Sequence, residues 1–139
     1  MRLWQRITGE YAPVPIPLLA INCSCRSQTA WGSPTCIVTP GSASQLALLV
    51  NVLVVNHVQF AIRSGGHSPN PGFANINNGV LIDMSLFNQV HYDASQNVAL
   101  VGSGLTWGTV YTTLEQYNVT VVGGRVLDVG VGGLMLGGM

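Results

Sequence analysis

Glycine is concentrated in an apolar segment at the end of this chain, and this limits what the segment can fold into. Six of the 17 glycines lie within residues 124–138, among valines and leucines. Each glycine destabilises a helix interior by about 1 kcal/mol relative to alanine, so this density argues against a helix. A flexible tail is the alternative, but tails are rarely so rich in Val and Leu. We therefore predict that residues 123–138 pack closely against another backbone or a flat ligand.

A second glycine motif, Arg63-Ser-Gly-Gly-His-Ser68, directly follows a predicted strand. Paired glycines allow positive φ angles and let the backbone approach a ligand, and successive N–H groups in such a turn can bind an anion. The hydroxyls of Ser64 and Ser68 can add donors. No acidic residue lies within residues 64–82, so a phosphate would meet no local repulsion. An ordinary Gly-Gly turn between strands remains the alternative.

Charged residues are scarce. They make up 7% of the chain against 47% hydrophobic residues, and five basic side chains balance five acidic ones. Globular domains usually carry about a quarter charged residues. High hydrophobicity excludes intrinsic disorder, and the lack of a basic stripe argues against nucleic-acid binding. A chain this apolar has few polar residues with which to cover a hydrophobic core. We therefore predict that it is the N-terminal part of a larger protein.

Hydrophobic periodicity predicts alternating strands and helices after an irregular start at residues 1–30. A helix from about Gln45 to Val55 has apolar residues spaced along one face, with Ser42 or Ser44 as its N-cap. A second helix is predicted at 107–117, and Asp93-Ala-Ser-Gln predicts a turn. Strands are predicted at 35–38, 58–63, 80–84, 89–92, 97–102 and 119–122. The pattern is α/β or α+β, with one helix on each side of the middle section.

Metal and membrane signals are weak. Cys23, Cys25 and Cys36 lack the two spaced ligand pairs typical of structural zinc sites, so we predict buried or incidental thiols and no metal. The most apolar run, Leu46–Val55, spans about half of a bilayer core and is better explained as a buried helix. The short apolar stretch at 16–21 is a poor signal peptide, so we predict no membrane association and leave localisation open.

Gly102-Ser-Gly104-Leu-Thr-Trp107 has the placement of a Rossmann turn, between a strand and a helix. Trp107, however, occupies the position of the third glycine, which lets helix and strand pack closely. We therefore do not favour a Rossmann turn and predict a structural role for the helix that begins at Trp107.

Five sequence blocks occur together in order: Cys36–Pro40, Phe60–Phe73, Gly79–Ser85, Val101–Tyr111 and Val122–Gly138. Together they closely resemble the FAD-binding PCMH-type domain of the vanillyl-alcohol-oxidase superfamily, in particular the berberine-bridge-enzyme-like oxidases of fungi. The resemblance implies an α+β fold, the N-terminal α/β part of such a domain. It divides the chain into an irregular segment, 1–34, and an FAD-binding domain that is incomplete at its C-terminus, 35–139.

The resemblance also implies cofactor-binding residues. His67 would bond covalently to the 8α carbon of the flavin ring, while the cysteine that adds a second link in some relatives aligns with Val126, so at most one link is expected. Arg63 could bind phosphate or be a strand-end charge. The residues assigned to FAD are Arg63, Ser64, Gly65, Gly66, His67 and Ser68 in the first cluster, and Gly124, Val129, Gly130, Gly132 and Gly133 in the second.

By resemblance, the activity is hydride transfer from a carbon of a small-molecule substrate to flavin, followed by reoxidation by dioxygen. Family members continue well beyond Met139, so we expect a truncated chain without its substrate domain, and no residue matches the family's catalytic base. A catalytically inactive fragment that binds FAD weakly or not at all is the alternative function. A small binding module without flavin is a third.

Overall fold

The computed structural model describes residues 4–7, 10–13 and 30–138, with only the backbone described in the first two ranges. Cys23, Cys25 and the apolar stretch at 16–21 lie outside the described residues. The described segments near the start form two short strands, β1 (Trp4–Ile7) and β2 (Glu10–Pro13), paired antiparallel. The prediction of irregular structure is therefore wrong for these residues, where Thr8-Gly9 separates two strand-length runs.

The first packed unit is a parallel sheet of three strands, β3 (Cys36–Val38), β4 (Phe60–Arg63) and β5 (Val80–Asp83). The strand order is β3-β5-β4, so β5 is central, and its first three residues are 0% exposed. This burial on both faces matches their continuous apolar sequence. Cys36 is buried here as well, and burial raises the pKa of its thiol.

Helix α1 (Ala43–Val55) connects β3 to β4 and buries Leu49 and Leu53 in the core cluster that contains β3 and β5. Its N-cap is Ser42, whose hydroxyl oxygen accepts a 3.2 Å hydrogen bond from the Gln45 backbone N–H. The predicted helix and cap are thus confirmed, because the apolar face of the helix and its capping residue are both local signals.

The second unit pairs an antiparallel hairpin with helix α2 (Trp107–Glu115). The hairpin consists of β6 (Val90–Asp93) and β7 (Val98–Val101), and alternate residues of both strands pack against α2. The predicted turn is confirmed: the Asp93 carboxylate accepts hydrogen bonds from Ser95 and Gln96. The bonds from Ser95 lower the pKa of this carboxyl.

Two predictions after α2 are wrong. Residues 119–122 form no strand; instead Asn118 adopts a φ of 55°, and Val119 and Val121 pack against the α2 cluster from an irregular segment. The glycine-dense end contains a short helix, α3 (Val131–Gly137), despite its glycines. Glycine has a low helix propensity, so α3 depends on tertiary packing. Val131 and Leu134 pack against α2 and stabilise the helix.

The predicted α+β fold class is confirmed by this arrangement of small sheets and helices, with three sheets among the described residues. Within the described part of the chain, no helix has both the length and the apolar character needed to cross a bilayer. Among the same residues, no group of three or more His, Cys, Asp or Glu side chains is arranged to hold a metal ion.

Candidate functional site

The two glycine clusters, far apart in the sequence, meet in the structure. The turn after β4 and the segment before α3 touch backbone to backbone at Gly65 and Gly130. A Cβ built on Gly65 would lie only 2.6 Å from the Gly130 nitrogen, and one on Gly130 would lie 2.7 Å from the Gly65 Cα. Real Cβ atoms do not approach so closely, so glycine is required at both positions. The predicted close approach of the second cluster to another backbone is confirmed at Gly130.

The hydroxyl of Ser64 makes two hydrogen bonds across this junction. It donates a 2.6 Å hydrogen bond to the Ser103 carbonyl and accepts a 3.2 Å hydrogen bond from the Gly132 N–H. Ser64 therefore joins the turn after β4 to the loop before α2 and to α3. Its one proton goes to Ser103, so in this structure the hydroxyl holds the site together instead of offering a donor to a ligand.

A cleft of about 710 Å³ opens beside the junction, within the size range of small-molecule and cofactor sites. Apolar side chains line much of it, including Phe73, which is 72% exposed. The predicted residues that line the cleft are Ser64, Gly65, Gly66, His67, Ser68, Val129, Gly130, Gly132 and Gly133. The lining residues that sequence reasoning missed include Ile62, Phe73, Met84, Ser103, Leu134 and Leu136. Phe73 ends the second quoted block, a signal that could have identified it.

Gly66 and His67 present backbone donors at this cleft. Gly66 has a φ of 63°, a left-handed conformation that favours glycine, and the residue is buried. Among the described residues, the N–H groups of Gly66 and His67 find no hydrogen-bond acceptor. Gly66 is buried, unlike His67, and buried backbone N–H groups nearly always have a partner, so an acceptor in the cleft would satisfy the Gly66 N–H.

Arg63 does not line the cleft. Its guanidinium donates a 2.6 Å hydrogen bond to the Asp83 carboxylate, directly opposite it in the β4–β5 register. Burial raises the pKa of Asp83, but the hydrogen bonds from Arg63 and Ser85 and the Arg63 charge outweigh it, so the pKa lies below its usual value. Of the two roles left open for Arg63, this geometry supports the strand-end charge.

The Arg63–Asp83 ion pair should stabilise the folded state at neutral pH, and this contribution should be lost in acid. We expect Asp83→Asn to lower the free energy of unfolding at pH 7 by about 1.5–3 kcal/mol, since it removes a charge-assisted hydrogen bond between largely buried groups. Because the folded pKa is depressed, the contribution is complete above the unfolded pKa of about 3.9 and is lost as pH falls through the folded pKa. Urea denaturation at pH 7 and pH 3 checks this.

Arg63→Gln and the double variant complete a double-mutant cycle for this pair. A coupling energy near zero at pH 7, or one that is as large at pH 3, would contradict the assignment.

Gly124 also lies outside the cleft lining. Its carbonyl accepts a 2.9 Å hydrogen bond from the Tyr111 hydroxyl, and a Cβ built on it would lie 2.5 Å from Cδ1 of the Trp107 ring. Gly124 thus lets the segment before α3 lie flat against α2.

The Rossmann-like turn packs internally. Gly102 and Gly104 lie so close to the backbone of residues 84–89 that a Cβ at either position would overlap it, and the Gly104 N–H donates to the Phe87 carbonyl at 3.0 Å. Neither glycine lines the cleft. These contacts agree with the preference against a Rossmann turn.

His67 lies at the cleft beside a carboxylate from the second cluster. Its Nε2 atom is 3.7 Å from Oδ1 of Asp128, with the two side chains 41% and 38% exposed. Sequence reasoning found no role for Asp128, because only the folding of the two loops brings it to His67.

Comparison with known proteins agrees with this geometry. The family described as "FAD binding domain" matches residues 34–139. The FAD-dependent monooxygenase yanF of Aspergillus niger is 50% identical over 105 residues, covering 75% of this chain and 18% of that protein. The FAD-dependent monooxygenase AOL_s00215g279 of Arthrobotrys oligospora is 42% identical over 135 residues, covering 96% and 26%. The chain therefore spans about a fifth to a quarter of the length of these relatives.

Solved structures show the same fold. The glucooligosaccharide oxidase of Acremonium strictum, described with a 6-S-cysteinyl, 8α-N1-histidyl FAD, superposes with a TM-score of 0.73 at 28% identity, covering 82% of this chain and 24% of that one. The 6-hydroxy-D-nicotine oxidase of Arthrobacter nicotinovorans gives a TM-score of 0.78 at 25% identity, covering 87% and 28%. The resemblance to PCMH-type FAD oxidases is confirmed. Since the family match covers most of its length, this chain belongs to the FAD binding domain family.

Proposed function

We propose that this chain forms the diphosphate-binding part of an FAD-dependent oxidoreductase, with FAD tethered through His67. The observation that carries the proposal is the junction of the two glycine clusters, where Gly65 and Gly130 meet beside the cleft. Gly66 and His67, whose N–H groups have no acceptor among the described residues, line an opening that has no Asp or Glu in its described lining. Oxygens of a diphosphate are acceptors that such successive N–H groups bind well.

Different residues of the cleft would contact different parts of such a cofactor. The Gly66 and His67 amides would bind the diphosphate, while Phe73, Met84 and Leu134 give an apolar wall that excludes water from a flat ring system. Ser64 keeps the loops in register through Ser103 and Gly132. A bound flavin would accept a hydride from a substrate carbon and return the two electrons to dioxygen.

His67 is suited to form the tether. A neutral imidazole has a nitrogen lone pair that can act as a nucleophile, and His67 projects from the turn whose amides would hold the diphosphate. A covalent bond at this position would prevent loss of the cofactor.

Incubation of the chain with FAD tests the proposal. We expect yellow colour that survives acid precipitation, with a mass increase of one FAD less two hydrogen atoms. His67→Ala should lose the acid-stable colour completely and retain FAD that acid releases, since its backbone donors remain. A parent chain that stays colourless would contradict FAD binding; acid-stable flavin in His67→Ala would contradict the tether alone.

A catalytically silent FAD-binding chain is the second candidate. It is favoured because His67 is the one titratable side chain among the described residues that line the cleft, so these residues offer no separate general base. Anaerobic addition of alcohols or oligosaccharides to the FAD-loaded chain separates the candidates. Bleaching of the flavin supports turnover, whereas a spectrum unchanged by every substrate supports the silent form.

A further inference from the structure

The contact at Gly65 and Gly130 sets a register between the two loops that form the cleft. Ser64 contacts Gly132, Gly65 contacts Gly130, and the residue two positions after Gly65 contacts the residue two positions before Gly130, a series that indicates opposite directions for the two loops. These residues are His67 and Asp128, and their side chains meet with Nε2 and Oδ1 3.7 Å apart. The carboxylate therefore reaches the histidine as a consequence of the same glycine contact that shapes the cleft.

We propose that Asp128 is the positioning residue for His67: at 3.7 Å, longer than a hydrogen bond, its carboxylate acts on Nε2 by charge and leaves Nδ1 as the nitrogen that bonds to flavin. This inference rests on the proposed function, but the His67–Asp128 contact can also be tested without FAD. In a neutral imidazole, the hydrogen bond made by one ring nitrogen decides which nitrogen carries the proton and which keeps its lone pair. A carboxylate at Nε2 favours the proton there and also restrains the orientation of the ring.

Asp128 is suited to this role by its location as well as its charge. No acidic residue lies within residues 64–82, so the turn that contains His67 supplies no carboxylate of its own. The Asp83 carboxylate is engaged by Arg63 at 2.6 Å. Asp128 lies on the opposite loop, next to Val129, whose carbonyl accepts a 3.0 Å hydrogen bond from the Trp107 N–H.

The Nδ1 lone pair of His67 forms the bond to the 8α carbon, the methyl group gives up one proton, and the imidazole gives up its Nε2 proton toward Asp128. The flavin ring would pass two electrons to dioxygen, which would leave with the two protons as hydrogen peroxide. In this step Asp128 acts only through His67, by orienting the ring and receiving its proton.

The first test measures the rate at which acid-stable flavin accumulates after FAD is added to the full chain. We expect Asp128→Asn and Asp128→Ala to slow this rate by about 10–100-fold, the range found when the partner that orients a metal-ligating histidine is removed. Asp128→Glu should recover part of the rate, and the affinity for acid-releasable FAD should stay within about twofold of the parent in all variants. Asp93→Asn, at an exposed turn, is the matched control and should react at the parent rate.

The second test uses the FAD-free chain and alkylation of His67 by iodoacetamide, a neutral reagent. Because the chain has three histidines, the peptide that contains His67 is first isolated by proteolysis, and after its hydrolysis the isomers alkylated at Nδ1 and at Nε2 are separated and quantified. We expect the parent to favour the Nδ1 isomer, and Asp128→Ala to shift the isomer ratio toward Nε2 by about tenfold. A purely structural role for Asp128 would not change this ratio in a folded variant.

The outcomes separate the two proposals. Equal flavin incorporation and an equal isomer ratio in parent and Asp128→Ala would overturn the role of Asp128 and leave FAD binding intact. If the parent binds no FAD, the proposed function fails, and the isomer ratio alone then decides whether Asp128 directs the reactivity of His67.

Discussion

Gly130→Ala is expected to destabilise the protein and to distort the cleft, because the added methyl group has no space. It would overlap the Gly65 backbone nitrogen and would lie 2.7 Å from both the Gly65 Cα and the Ser64 Oγ. Backbone atoms cannot move aside as the end of a flexible side chain can. Such overpacking costs about 1–3 kcal/mol, which for a chain of this size lowers the melting temperature by roughly 3–15 °C.

Gly133→Ala is the matched control, since it makes the same chemical change three residues later in α3. A Cβ on Gly133 would meet nothing within 4 Å, and alanine is favoured over glycine in a helix by about 0.5–1 kcal/mol. Its melting temperature should therefore equal or exceed that of the parent. Thermal unfolding followed by circular dichroism measures both variants, and equal melting temperatures for the two would show that the glycine contact is not tight.

The glycine pattern predicted the importance of this junction but not its partners. Dense glycine indicates that a backbone comes close to something, which is a local property of the sequence. That Gly130 meets Gly65 depends on how β4, α2 and α3 pack, and no local pattern contains this information. For the same reason Asp128 had no predicted role until the loops were placed together.

Arg63 and Gly124 illustrate a related limit. From the sequence, Arg63 could bind a phosphate or end a strand, and only the parallel β4–β5 register places it opposite Asp83. Gly124 belongs to the same dense cluster as the cleft glycines, yet it lies against the Trp107 ring. Residues that share a motif in sequence are therefore divided between ligand-facing and packing roles by long-range contacts.

Elements with strong local signals were predicted well, and those stabilised by distant contacts were not. Helix α1 has a cap and a continuous apolar face, and its start at Ala43 follows from Ser42. Helix α3 has three glycines in seven residues and depends on packing against α2. The predicted strand at 119–122 has the apolar composition of a strand, but no neighbouring strand pairs with it among the described residues.

Trp107→Ala should cause the largest loss of stability of the substitutions considered. The side chain is 3% exposed, its ring covers Gly123 and Gly124, and it stacks on Tyr111 with ring centroids 5.8 Å apart. Removal of a buried tryptophan leaves a cavity and costs about 3–5 kcal/mol. Because the lost ring supports the segment that leads to Asp128 and Gly130, the cleft should loosen at the same time.

Trp107→Phe separates the contribution of ring packing from that of the indole N–H. Within the described residues the indole nitrogen donates no hydrogen bond, so phenylalanine loses ring volume without losing a polar contact. We expect it to cost less than about 2 kcal/mol. Urea denaturation gives the free energies of unfolding, and amide hydrogen exchange at residues 127–130 reports the state of the segment. An unfolding free energy for Trp107→Ala within about 1 kcal/mol of the parent, with unchanged exchange, would mean that the ring does not support this side of the cleft.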